Sequence, residues 1–160
     1  MGIPTLISTS TASNAASVDI TSGIDSTYDE YMFVFTDINP ATTGSFAFQV
    51  NAAGQSGFNE TITSTRFTAV HRENDSTAQL AYDTSNDQAQ GTAKQRLCNV
   101  AGGSDESCAG ILHLFSPSST TYVKHFYSRV SAYGDADPQR YNQDAFVAGY
   151  FNVTAAIDEI

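Results

Sequence analysis

The chain has 160 residues, 41% of them hydrophobic and 15% charged, and a formal net charge of −10 from 17 acidic and 7 basic side chains. That length fits one domain able to bury roughly two thirds of its unfolded surface. The bases are scattered, and without a basic stripe to meet phosphates the chain is expected to bind neither nucleic acid nor an anionic membrane. No apolar stretch approaches the ~20 residues of a helical membrane span, and residues 1–14 lack the positive start and apolar centre of a signal peptide. Ten Phe, eight Tyr and no Trp, set among many Ser, Thr, Asn and Gln, suit strands and polar turns better than helices.

In chain order, residues 1–27 are small and polar, with Leu6-Ile7 and Val18–Ile20 each able to form a short strand and to hold an extended arm in place. Tyr28–Ile38 is the most apolar and aromatic run. Met32, Val34 and Ile38 fall on one face and Tyr31, Phe33 and Phe35 on the other, which predicts a central strand covered on both sides. Asn39–Gly44 is a turn. Ser45–Val50 alternates, with Phe46, Phe48 and Val50 on one face, and predicts a hairpin with Tyr28–Ile38. Asn51–Glu60 is a loop, Thr61–His71 a strand with one polar face, and Ala78–Tyr82 a short strand. Asp83–Gln95 has almost no apolar content and reads as a long exposed loop.

Cys98 and Cys108 flank a turn-rich segment, so the sequence places them on the two limbs of a hairpin. A disulfide between them and buried free thiols are both compatible with that placement. Tyr122–Tyr133 is a long strand, Gly134–Gln143 a polar loop, Ala145–Val153 an apolar strand, and Ala155–Ile160 the start of another. With no helical period sustained for three turns, the expected fold is all-β: an antiparallel, jelly-roll-like β-sandwich of 8–10 strands with an extended N-terminal arm. Residues 1–20 form the arm and residues 21–160 one domain.

Chemistry-bearing motifs are sparse. His71, His113 and His125 lack metal-ligand spacing, and Gly54-Gln55-Ser56-Gly57 lacks the spacing of a nucleophile elbow. Asp135, Asp137 and Asp144 could approach a hard cation, but the ordinary reading is a solvated loop. No catalytic, cofactor-binding or metal-ligating residue is assigned, and the protein is expected not to be an enzyme. Tyrosines gather in the last third, and exposed aromatics can stack on sugars or anchor a protein partner. Tyr133, Asp135, Asp137 and Tyr141 are therefore candidates for a glycan- or partner-binding loop, and Leu6, Ile7, Val18 and Ile20 for a partner-binding arm.

Two stretches carry a resemblance: LISTSTASNAASVDITSGIDSTYDEYMFVFTDINPAT at residues 6–42 and AFVAGYFNVTAAIDEI at residues 145–160. Together they resemble a family of small β-sandwich virion proteins of tailed bacteriophages, cyanophages among them. The resemblance covers about a third of the chain and brings no catalytic residues. It implies a capsid decoration (cement) protein, made in the host cytoplasm and assembled on the particle exterior. Such a protein would bind the major capsid protein or other virion proteins, as a homo-oligomer, a trimer. The alternative it leaves is a tail or head fibre module that binds host-surface glycans. Proteins of this kind continue beyond the second motif into a further strand pair, so the final strand is expected either to be cut short or to be completed by a neighbouring subunit.

Overall fold

Strand patterning dominates the local structure. In Lys124–Ala136, for example, Phe126, Ser128, Val130 and Ala132 are buried while His125, Tyr127, Arg129 and Ser131 face out, the two-residue period of a strand covered on one side. The computed structural model describes residues 3–136 and 139–160, with eleven strands and no helix among them. They are β1 (Glu30–Ile38), β2 (Gly44–Phe48), β3 (Asn51–Ala52), β4 (Ile62–Arg72), β5 (Ala78–Tyr82), β6 (Gln88–Gly91), β7 (Gln95–Val100), β8 (Cys108–Phe115), β9 (Lys124–Ala136), β10 (Gln139–Phe151) and β11 (Ile157–Glu159).

All pairings are antiparallel. A seven-stranded sheet runs β1-β8-β9-β10-β4-β5, with β6 also bonded to β4, and two ribbons, β2-β7 and β3-β11, stand apart from it. The ribbons cover one face of the large sheet. Phe48 meets Phe126 edge-on at 5.1 Å between centroids and Phe151 at 5.9 Å, and Phe46 meets Phe35 at 4.8 Å. Val50, Ile62, Leu97, Leu112, Val130 and Ile157 are among the buried residues that pack with them in this core. Gly149 lies beneath the Phe126 ring, where a Cβ would come within 2.8 Å of it. Edge-to-face aromatic packing of this kind adds ~0.5–1.5 kcal/mol per pair beyond area burial.

Several expectations are corrected. β1 is an edge strand of the large sheet, not a central one, and it pairs with β8 rather than with β2. Tyr31, Phe33 and Phe35 face inward, whereas Met32 and Val34 are 45% and 60% exposed. Asp83–Gln95 is not all loop. β6 forms there because Ser64, Gln88, Asn86 and Gln95 satisfy one another: Ser64 donates to Gln95 at 2.6 Å, the Gln88 amide donates to Ser64 at 3.0 Å, and Gln95 donates to the Asn86 carbonyl at 3.0 Å. Gly134–Ala136 and Gln139–Gln143 are not loop: they lie within the 13-residue strands β9 and β10 and pair with each other. β11 is not an open strand: it pairs with β3, and Ile160 exchanges two backbone hydrogen bonds with Ile20.

The cysteines do not sit on a hairpin, since β7 and β8 belong to different sheets. Instead they approach each other across the core as free, buried thiols within hydrogen-bond reach. The Cys98 thiol is pushed up from its ordinary pKa by its bond to Cys108 and by burial. The same bond lowers the Cys108 pKa, but Cys98 and Cys108 are 0% and 2% exposed and a thiolate must be reached to react, so a thiol reagent at pH 8 should label neither cysteine in the native protein and both after unfolding in guanidinium. Rapid labelling of either in the native state would contradict this packing.

Candidate functional site

The inner face of the large sheet is covered and its outer face is not. Register fixes the outer rows. One runs Met32, His113, Tyr127, Ala148, Thr65. The next runs Val34, Ile111, Arg129, Phe146, Phe67, Tyr82. A third places Ala109, Ser131, Asp144, Ala69 and Leu80 together. Of the twelve strongly exposed large apolar side chains among the described residues, six lie here: Met32, Val34, Phe67, Leu80, Tyr82 and Tyr127. A contiguous patch of this kind marks an interaction surface, unlike singly scattered apolar residues.

The rings on this face stack on one another. Phe67 and Phe146 are parallel within 8° at 4.7 Å, and the Arg129 guanidinium lies 4.8 Å from the Phe146 centroid. His113 stacks on Tyr127 at 4.5 Å and near-parallel to Phe115 at 6.2 Å. The charges are internally paired. Arg129 grips Asp144 through Nε and Nη2 at 2.7–3.2 Å, and that bond raises the Arg129 pKa. Glu30 meets His113 Nδ1 at 2.5 Å. A shallow depression bounded by Ala109, Arg129, Ser131, Asn142 and Asp144 opens on the same face.

The residues singled out in the sequence fall in two other places. Leu6, Ile7 and Val18 lie in a strandless, exposed segment, at 81%, 48% and 44% exposure, beside Ile3 at 93%. The two short strands expected at Leu6-Ile7 and Val18–Ile20 do not form. Ile7 rests on Gly23, whose φ of +87° is a turn conformation glycine adopts without strain. Ile20 is the anchor point, bonded to Ile160, and Ile24 is buried.

Tyr133 and Tyr141 stand on the paired ends of β9 and β10, not on a loop, and both border a depression of about 520 Å³. The Tyr141 ring occupies the space over Gly134, where a Cβ would lie 2.2 Å from it. Burial raises the Tyr133 phenol pKa, against the opposing charge of Arg140. Asp137 and the side chain of Asp135 lie outside the described residues. Asp144, the third acid of that group, is held by Arg129. No group of three or more His, Cys, Asp and Glu residues is placed to hold a metal among the described residues.

The outer face was not drawn from the sequence. Its signal was present in the second apolar set of Tyr28–Ile38, Met32 and Val34, and in Phe67 lying opposite the polar inward face of β4. With fold and surfaces described, comparison adds no identity: no family model, curated protein or solved structure matches this chain.

Proposed function

We propose that this protein is a structural component of a tailed-phage virion, a capsid decoration protein that binds the outer surface of the head as a homo-oligomer. In this reading the fold is a sandwich with an N-terminal arm, and the arm lies across neighbouring capsid subunits, adding contact area that holds the shell against internal pressure. The observation that carries the proposal is the segment of residues 3–19. It displays Ile3, Leu6, Ile7 and Val18 to solvent without a strand or cover, while Ile20 and Ile24 tie its base to the domain. Extended segments of this type gain their order on a partner's surface, where they can cover a large area. The resemblance at residues 6–42 and 145–160 points the same way.

The test is co-sedimentation with purified heads. Full-length protein should bind, and a variant lacking residues 2–18, which keeps Ile20 and Ile24, should lose binding by at least about tenfold while its melting temperature stays close to the parent's. Equal binding by the shortened variant would refute the arm's role. A second reading, a fibre module for host glycans, draws on the aromatic residues of the outer face. It is weakened by their stacking, since a ring already covered by Arg129, Phe67 or His113 offers an edge rather than a flat platform.

A further inference from the structure

Ten of the twelve exposed large apolar side chains fall in two sets: four on residues 3–18, already given a role, and six on the outer face of the large sheet, with Tyr28 and Tyr122 in neither. We infer that the outer face is the surface through which copies of this chain associate with each other. This rests on the homo-oligomer of the proposal above, for which it names the surface, and is independent of head binding by residues 3–19.

Three observations select a second copy as the occupant. The first is size. Six strands at about 4.8 Å spacing, with about seven residues of about 3.4 Å rise along each but the five-residue β5, give a face of about 650 Å². That is close to the ~800 Å² per partner of a stable protein interface, and much larger than a sugar needs.

The second is charge. A chain of net charge −10 repels its own copies across most of its surface. The three central rows of this face hold one arginine and one aspartate, Arg129 and Asp144, already bonded to each other, and one histidine. The repulsion is therefore least here, and no carboxylate in these rows would be buried unpaired.

The third is ring orientation. The Arg129–Phe146–Phe67 and His113–Tyr127 stacks present edges and aliphatic neighbours, Val34, Ile111 and Leu80, to the outside. Such a surface packs against another apolar protein face and gives little to a pyranose ring. Tyr82 and Tyr127 supply the amphipathic aromatic anchors common at interface centres.

The test uses the full chain in sedimentation equilibrium across low to high micromolar concentration. The expected result is a mass two or three times 17.1 kDa. Val34→Glu and Leu80→Glu, both at solvent-exposed positions that leave the core untouched, should each raise the dissociation constant about tenfold or more, with circular dichroism unchanged. Leu6→Glu, on the N-terminal segment, should leave self-association unchanged even where it weakens head binding. A wild-type protein that stays monomeric would overturn the inference, as would an oligomer indifferent to both face substitutions. A monomer that binds a glycan array through this face would overturn it in favour of a sugar.

Discussion

Arg66→Ala is expected to cost about 3–5 kcal/mol of folding stability, or roughly 6–20 °C in Tm for a chain of this size. Arg66 sits on the inward face of β4 and is 1% exposed. Its guanidinium is paired with Asp83 and reaches Gln143 Oε1 at 3.5 Å. Burial lowers the Arg66 pKa, and the charge of Asp83 opposes that shift. Truncation leaves a cavity and an under-paired carboxylate together. Arg66→Met should lose less than half as much, because it refills the space and Asp83 is still held by Asn86 at 2.8 Å and by the Ser85 amide at 3.1 Å.

The same pair gives a pH signature. Burial acts to raise the Asp83 pKa, but bonds from Asn86 and Ser85 and the charge of Arg66 outweigh it and bring it below 3.8. A folded pKa below the unfolded one contributes stability that is full above the unfolded value and is lost as pH falls through the folded value. Asp83→Asn should therefore flatten the acid limb of stability below about pH 4. Denaturant melts of parent and variants across pH 2–7 would measure both effects, and an Arg66→Ala protein within about 0.5 kcal/mol of the parent would rule out the buried-pair account.

Lys124→Met carries the second large expected loss, about 2–4 kcal/mol. Lys124 opens β9 on its inward side and is fully buried. Its ammonium donates to the carbonyls of Val153 at 3.2 Å, Thr154 at 2.8 Å and Ala155 at 2.5 Å. Burial lowers its pKa, with Glu60 opposing. The three carbonyls form the bend that delivers β11 to β3, so methionine would fill the volume and leave the bend without its donor. Hydrogen exchange should then speed up at the amides of Ile157 and Ile160, which bond to Pro117 and Ile20, more than in the centre of β9. Uniform acceleration throughout the sheet would show that Lys124 supports the whole domain instead of that bend.

Strand content, antiparallel pairing and most strand positions were legible in the sequence because a two-residue period leaves a direct mark. Partnership was not. Tyr28–Ile38 is apolar on both faces, and periodicity cannot distinguish a strand covered twice from an edge strand whose outer face joins an exposed patch. β4 misled differently. Ser64 and Arg66 face inward because Gln88, Gln95 and Asp83 satisfy them, and that compensation comes from residues 17 to 31 positions away. The exposed N-terminal segment was visible from its small polar composition. The outer face was hidden because its rows draw on six strands, and only their register assembles Val34, Phe146, Phe67 and Tyr82 into one surface.

The Ile20–Ile160 clasp has a mechanical consequence. If residues 3–19 are fastened to another body, tension in them reaches the pair of hydrogen bonds at Ile20 before it reaches the buried Ile24. Two such bonds, each with a net worth of about 1 kcal/mol, can open and re-form without disturbing the large sheet. Their release would pay out residues 20–23, about 10–14 Å of tether, while the core stays intact. The domain would thus ride on a short extensible leash, yielding to small displacements of what it is attached to and recoiling when the strain passes.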